Sequence, residues 1–237
     1  MRWPRRSRSQ PQRDIPLVED LYADARREMV RYQLEGRGLR NPELLRAFGT
    51  VPRHRFVDSP DPYGDHALPL DEGQTISQPY VVAAMTAAAL PPGEQGYRGA
   101  RVLEVGTGSG YQAAILAELG ADVVSIERFP ELADTAQQRL AETGYGDRVT
   151  VIVGDGTQGW PAHAPYRAIL VTAGGPSVPE PLREQLEPDG GRLVMPIGSR
   201  EHQTLTLIER HGTDETVREL DPVVFVPLVG THGFQPD

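Results

Sequence analysis

The sequence predicts an α/β fold, a doubly wound parallel sheet with helices before it and an antiparallel edge after it. Strand-like and helix-like segments alternate from Arg101 to about residue 197, and a glycine-rich turn joins the first strand of that series to its first helix. With 237 residues, the chain is long enough to bury a substantial core.

Three helices are predicted before the alternating series. Residues 17–35 carry apolar side chains at helical spacing. Asn41-Pro42 predicts the start of a second helix, because asparagine is a favoured cap and proline suits the first turn. Residues 58–78 are rich in proline, glycine and aspartate and predict a loop, and residues 79–90 predict a third helix.

The alternating series predicts five parallel strands with helices between them. The predicted strands are 101–105, 122–127, 149–153, 168–173 and 191–197, and the predicted helices are 111–119, 130–142 and 179–187. Two further strand-like segments, Thr204–Arg210 and Val223–Val229, have no helix between them and therefore predict the antiparallel edge. Extended backbone at Val223–Val229 is also a candidate to pair with a peptide.

The glycine-rich turn is the first candidate binding element. Gly106, Gly108 and Gly110 follow the strand that contains Glu104, and such a turn lets a ligand lie against main-chain atoms. A dinucleotide fingerprint has its third glycine where this chain has Tyr111, which favours a ligand without a pyrophosphate. S-adenosylmethionine is the leading candidate. The alternative is a tight turn without a ligand.

Two acids at later strand ends extend this candidate site. Glu127 ends the second strand, where an acid can accept hydrogen bonds from both ribose hydroxyls; the alternative is a solvated carboxylate. Asp155 follows the third strand and is placed to accept from the amine of an adenine; its alternative is an ordinary Asp-Gly turn.

The polar segment Gly73–Tyr80 is the candidate for binding the group that accepts the methyl of S-adenosylmethionine. It leads into a predicted helix, and backbone N–H groups at a helix start, with the Thr75 and Ser77 hydroxyls, are suited to hold a carboxylate. The alternative is that Ser77 only caps the helix, a contribution of about 1 kcal/mol. Residue chemistry alone leaves both open.

Several segments together resemble the protein-L-isoaspartate O-methyltransferase family, in the family's order and over about residues 17–234. They are Val51-Pro-Arg-His-Arg-Phe-Val57, Ala67–Leu70, Gly73-Gln-Thr-Ile-Ser-Gln-Pro-Tyr80, Val102-Leu-Glu-Val-Gly-Thr-Gly-Ser-Gly-Tyr111, Gly154-Asp-Gly156 with Gly159-Trp160, Ala164-Pro-Tyr166 and Phe225–Val229. The Thr-Ile-Ser-Gln-Pro stretch is far more specific than the glycine turn.

The resemblance implies a Rossmann-like S-adenosylmethionine-dependent methyltransferase fold and a reaction. The methyl group goes to the α-carboxylate of an L-isoaspartyl residue in a damaged or flexible protein, S-adenosylhomocysteine is released, and the ester closes to a succinimide. The family's active-site serine falls on Ser77. The expected cofactor contacts are Gln74, Thr75, Ile76, Ser77, Glu104, Gly106, Thr107, Gly108, Gly110, Glu127, Arg128, Asp155 and Gly156.

One departure from the family lies after the fourth strand. Thr172-Ala-Gly-Gly-Pro176 stands where many members have a run of alanines, and it is not expected to touch the cofactor contacts. A strong base is not required, because an ionised carboxylate is already a nucleophile, so Ser77 is expected to orient the acceptor. No metal is expected, since cysteine is absent and the six histidines lack metal-binding spacing.

Composition and domain layout complete the expectations. Residues 1–13 predict a disordered arginine-rich tail, and residues 14–237 predict a single methyltransferase domain: 14–98 with the substrate loop, 99–200 as the nucleotide-binding core and 201–237 as the C-terminal strands. The net charge of −9 argues against nucleic acid as a partner, and no apolar run is long enough to span a membrane. A cytoplasmic protein is predicted, and the resemblance favours a monomer.

Three alternative functions remain open from the sequence. The nearest is an aspartate carboxyl methyltransferase acting on a ribosomal natural-product precursor peptide, although such relatives carry an added recognition region. A small-molecule or nucleic-acid methyltransferase is the second, but Thr172-Ala-Gly-Gly175 replaces the Asn/Asp-Pro-Pro-Tyr motif of amino-methylating DNA enzymes. An NAD-dependent dehydrogenase is the third, and Tyr111 argues against it.

Overall fold

The computed structural model describes residues 21–91 and 96–235. The predicted arginine-rich tail lies outside these residues. Helix α1, Ala23–Glu28, continues through a π-helical turn and ends before Gly38, which has φ +99°. Helix α2, Pro42–Thr50, begins as predicted, with the Asn41 side chain accepting from the Leu44 N–H at 3.0 Å. Among residues 21–91 and 96–235, no helix has the length and apolar character needed to cross a membrane.

The loop before the third helix contains a short ribbon that the sequence did not predict. Leu68–Pro69 pairs antiparallel with Thr75–Ile76. Helix α3, Pro79–Ala88, starts three residues after the ribbon. The ribbon and the helix start therefore hold the polar segment Gly73–Tyr80 from both ends.

The main sheet has seven strands. They are β1 Arg101–Val105, β2 Asp122–Glu127, β3 Val149–Val153, β4 Ala168–Val171, β5 Asp189–Gly198, β6 Gln203–His211 and β7 Asp214–Val223, in the order β3-β2-β1-β4-β5-β6-β7. The pairs among β1–β5 are parallel, and β5-β6-β7 are antiparallel, as the predicted fold class requires. The chain order reverses between β1 and β4, the place where open α/β sheets bind ligands at their carboxyl ends.

Alternate residues of the central strands enter two separate cores, one on each face of the sheet. Val102 and Leu170 pack with α3 and α4 (Tyr111–Glu118), whereas Leu103 and Ile169 pack with α6 (Glu180–Glu184). Helix α5 is Pro130–Glu142. Because both faces are covered, the central strands are mostly apolar, and this pattern makes their bounds readable in the sequence.

The predicted strand Val223–Val229 is wrong. The last strand, β7, is Asp214–Val223, and it forms a hairpin with β6 through Gly212-Thr213. Almost every residue of β7 is exposed at the sheet edge, so it lacks the apolar alternation that marks a half-buried strand. The apolar segment after it is irregular, and its Val226 carbonyl and Leu228 N–H bond to Gly174, which occupies backbone groups proposed for peptide pairing.

Candidate active site

A cleft opens at the carboxyl ends of β1, β2 and β4. All predicted cofactor residues except Gly110 and Asp155 line it. Those that do are Gln74, Thr75, Ile76, Ser77, Glu104, Gly106, Thr107, Gly108, Glu127, Arg128 and Gly156. The cleft lies where small-molecule sites occur in this class of fold.

The glycine turn forms the floor of the cleft. Its backbone adopts conformations that favour glycine. Gly106 has φ +95°, and a Cβ there would come within 2.4 Å of the Thr172 hydroxyl oxygen. Gly110, with φ +86°, is buried at the start of α4, where a Cβ would meet Leu140 of α5 at 3.3 Å. Gly110 therefore lets α4 pack against α5 and does not face the cleft.

Glu127 ties the end of β2 to the glycine turn. Its Oε2 accepts from the Gly108 N–H at 2.8 Å, and its Oε1 accepts from the Arg128 N–H at 2.8 Å and the Phe129 N–H at 3.1 Å. A carboxylate offers about four acceptor positions. One position remains for a ligand hydroxyl, so the predicted contact of Glu127 with both ribose hydroxyls stays a prediction.

Glu104 is a fully buried carboxyl group on the cleft wall. Its Oε2 accepts a short hydrogen bond from Ser125, while Oε1 has no partner among the described residues. Burial raises the pKa of Glu104 to about 8, although the Ser125 hydrogen bond opposes the shift. Gln112, also on the wall, likewise has a buried oxygen without a described partner. These acceptors fit a ligand with several donors, including an ammonium group.

Ser77 lies between the cleft and a second space. That space is a groove between the start of α3 and the ends of β6 and β7, and both Thr75 and Ser77 line it as well as the cleft. The alternative role of Ser77 as a helix cap is wrong, because the cap residue of α3 is Gln78 and no side chain caps this helix. Ser77 is thus placed to contact ligands on both sides.

Thr172 was missed as a site residue. Its hydroxyl donates to the Gly106 carbonyl at 2.7 Å, and it lines the cleft with Ala173. The expectation that this loop does not touch the cofactor contacts is wrong, since β4 lies beside β1 and both strands end at the same edge. The position of Thr172 at the end of a strand beside β1 was the signal that could have identified it as a site residue.

The C-terminal segment, residues 225–234, supplies a cleft wall that the sequence did not predict. Val226–Val229 line the cleft, and the Phe225 N–H donates to Gln203 Oε1 at 2.7 Å. Further along, the Thr231 N–H donates to Asp155 Oδ2 at 2.8 Å and the His232 N–H donates to Thr157 Oγ1 at 3.1 Å. These contacts hold the segment against the sheet.

Asp155 is engaged by the protein itself. Its Oδ1 accepts from the Thr157 N–H and hydroxyl, and its Oδ2 accepts from the Thr231 N–H and from Gln158 at 3.3 Å. Burial raises the pKa of Asp155, but the hydrogen bonds from Thr157 and Thr231 outweigh it and hold the pKa well below its usual range. All acceptor positions are in use, so the predicted adenine contact of Asp155 stays a prediction.

Known proteins of similar sequence identify the family. The family described as protein-L-isoaspartate(D-aspartate) O-methyltransferase matches residues 24–233. The chain belongs to this family. Relatives named protein-L-isoaspartate O-methyltransferase are 48% identical in Methanospirillum hungatei and 50% identical in Methanoregula boonei, each over 90% of this chain and 96% of the relative.

Solved structures agree with the family. A protein-L-isoaspartate O-methyltransferase structure matches with a TM-score of 0.77 and 30% identity over 87% of this chain and 67% of the other. A Plasmodium falciparum protein described with the same activity, solved with S-adenosyl-L-homocysteine, has the same fold, with a TM-score of 0.73 and 23% identity over 86% and 98% of the two chains. This chain is an S-adenosylmethionine-dependent O-methyltransferase, which confirms the predicted fold and cofactor. The precursor-peptide alternative finds no support among these relatives.

Proposed function

We propose that the enzyme methylates the α-carboxylate of L-isoaspartyl residues in damaged proteins and so starts their repair through a succinimide. The observation that carries this proposal is the position of Ser77, which lines both the cofactor cleft and the neighbouring groove. A group bound in the groove meets a group bound in the cleft at this residue. The names of the relatives support the same acceptor.

The residues around Ser77 suit a reaction governed by positioning. S-adenosylmethionine supplies an electrophilic methyl group, and an ionised carboxylate attacks it without help from a base. Holding the two groups close and in line is worth up to about 7–11 kcal/mol. The Thr75 and Ser77 hydroxyls are the donors available to orient the carboxylate at the junction, and the cleft residues Glu104 and Glu127 accept from the cofactor.

The groove supports a peptide as the acceptor. Its walls combine apolar residues such as Val81 and Phe225 with polar residues such as Gln78 and His202, and Val224 beside them is 75% exposed. An isoaspartyl residue in a rigid fold would not enter a space between α3 and the sheet edge. The substrates are therefore flexible segments, as expected of damaged proteins.

Matched peptides test the acceptor. The purified enzyme is given labelled S-adenosylmethionine and two peptides that differ only in isoaspartate against aspartate. We expect base-labile label on the isoaspartyl peptide alone, because a methyl ester is hydrolysed by base. Equal labelling of both peptides, or no labelling of either, contradicts the proposal.

Replacement of Ser77 tests the orienting role. A hydrogen bond to a charged group contributes about 1.5–3 kcal/mol, so Ser77→Ala should lower kcat roughly 10- to 100-fold. The Kd for S-adenosylhomocysteine should change little in calorimetry. Ser177→Ala, an exposed serine on the loop after β4, is the matched control and should leave kcat unchanged. Full turnover in Ser77→Ala would remove Ser77 from the proposal.

A further inference from the structure

Arg53 is a fully buried arginine that contacts the backbone of Ser77. Its Nη2 donates to the Ser77 carbonyl at 2.9 Å, and its Nε donates to the Pro62 carbonyl at 2.8 Å. Its guanidinium carbon lies 5.0 Å from the centre of the Tyr111 ring. One side chain therefore joins the acceptor segment, the loop before the ribbon and the first residue of α4.

No acid among the described residues compensates this charge. Within residues 21–91 and 96–235, no carboxylate forms an ion pair with Arg53, and its Nη1 has no partner. Burial lowers the pKa of Arg53 to about 10, with Tyr111 and Tyr63 opposing the shift, so the group is still charged at neutral pH. A buried charge without a counterion is destabilising, and an apolar side chain of similar volume would often stabilise a fold better. Stability alone does not account for an arginine here.

The contacts of Arg53 suit a role in positioning. Ser77 is half-buried and follows a two-residue strand of the ribbon, at a position without regular secondary structure, so few backbone bonds hold its peptide plane. Tyr111 lines the cofactor cleft and starts the helix after the glycine turn. A planar guanidinium bonded to Ser77 and packed on Tyr111 fixes the distance between the acceptor side and the cofactor side.

We propose that Arg53 is the positioning residue for Ser77, holding its peptide carbonyl so that the hydroxyl meets the acceptor carboxylate at the mouth of the cofactor cleft. The proposal rests on the proposed role of Ser77. Lysine cannot replace the guanidinium, because a single ammonium lacks the planar fork that reaches two carbonyls at once. Misplacement of a reacting group by about 1 Å can cost on the order of 10²-fold in rate.

A double-mutant cycle tests the proposal. The variants are Arg53→Lys, Ser77→Ala and the double variant, each assayed for kcat and KM with the isoaspartyl peptide, for S-adenosylhomocysteine affinity and for Tm. We expect Arg53→Lys to lower kcat roughly 10- to 100-fold and to change cofactor affinity less than about threefold. In the Ser77→Ala background the same change should lower kcat less than about threefold, since residues that act together are not additive.

Arg192→Lys is the matched control. Arg192 is also largely buried and donates to the Leu90 carbonyl at 2.8 Å, but it lies outside the cleft and pairs with Glu209. It should lower Tm and leave kcat unchanged. Should Arg53→Lys be too unstable to assay, Arg53→Gln removes the buried charge and should show the same loss of kcat.

Each outcome decides between the two proposals. Normal kcat in Arg53→Lys and Arg53→Gln, with a low kcat in Ser77→Ala, overturns the role of Arg53 and leaves that of Ser77 standing. An equal fold-loss from the Arg53 change in both backgrounds also overturns it, because the effect would not pass through Ser77. Full turnover in Ser77→Ala refutes both.

Discussion

Replacing Glu127 by glutamine removes the negative charge of the side chain and keeps its shape. The amide oxygen can keep the Arg128 and Phe129 N–H groups, both of which bind Oε1, but the amide nitrogen then faces the Gly108 N–H, which now binds Oε2. One charge-assisted hydrogen bond is lost, a cost of about 1.5–3 kcal/mol. For a chain of this length, each kcal/mol lowers Tm by about 2–4 °C, so a fall of roughly 3–12 °C is expected.

The same substitution should weaken cofactor binding. A free acceptor position on Glu127 is replaced by a donor, and the Gly108 backbone loses its anchor, so the Kd for S-adenosylhomocysteine should rise roughly 10- to 100-fold. Isothermal calorimetry measures the Kd and differential scanning calorimetry measures the Tm. Glu142→Gln, the same change at an exposed ion pair with Arg55, should cost no more than about 1 kcal/mol.

The combination of results decides whether the reasoning holds. A fall in Tm with an unchanged Kd would mean that Glu127 only ties β2 to the glycine turn and does not contact the ribose. An unchanged Tm would refute the hydrogen-bond argument itself, because three backbone donors depend on this carboxylate.

Three further substitutions test the cleft and the C-terminal segment beside it. Burial raises the pKa of Glu104 from its ordinary 4.5 to about 8, so the folded state holds an extra proton between these pH values and the free energy of unfolding falls as pH rises. Denaturant unfolding from pH 5 to 8 should therefore show a flatter dependence of this free energy on pH in Glu104→Gln. Asp155→Asn should expose the C-terminal segment to limited proteolysis at neutral pH. Because the pKa of Asp155 is lowered, its contribution to stability is present above its ordinary pKa and disappears in strong acid, where wild type and variant should converge. Thr172→Val removes the bond to the Gly106 carbonyl and should lower the unfolding free energy by about 1–3 kcal/mol in the same assay.

The central strands were predictable because their burial leaves a simple sequence pattern. The bounds of β1, β2 and β3 agree with the predicted segments, since each is a short apolar run between turn-forming residues. Edge strand β7 carries charged residues on an exposed surface, and no periodicity distinguishes it from a loop. The apolar residues after it suggested a strand because burial against a cleft and burial in a sheet produce the same composition.

The site was predictable where its chemistry is local. The glycine turn and the Ser77 segment each carry their function in neighbouring residues, and both lie on the cleft. Thr172 lies on the cleft because its strand is placed beside β1 in the sheet, and Val226–Val229 lie there because the chain returns to the cleft after β7. The hydrogen bonds of Asp155 were not predictable in the same way, because one of its donors, Thr231, comes 76 positions later in the chain.

The C-terminal segment couples the packing of the sheet to the wall of the cleft. Every strand is complete at Val223, yet Val226–Val229 and the bonds to Asp155 and Thr157 come afterwards. A chain ended by a premature stop after residue 224 would keep every strand but lose Phe225 and Leu228, which are buried in the cores on the two faces of the sheet. Late truncation would therefore remove a wall of the cleft and part of the packing of both faces at once.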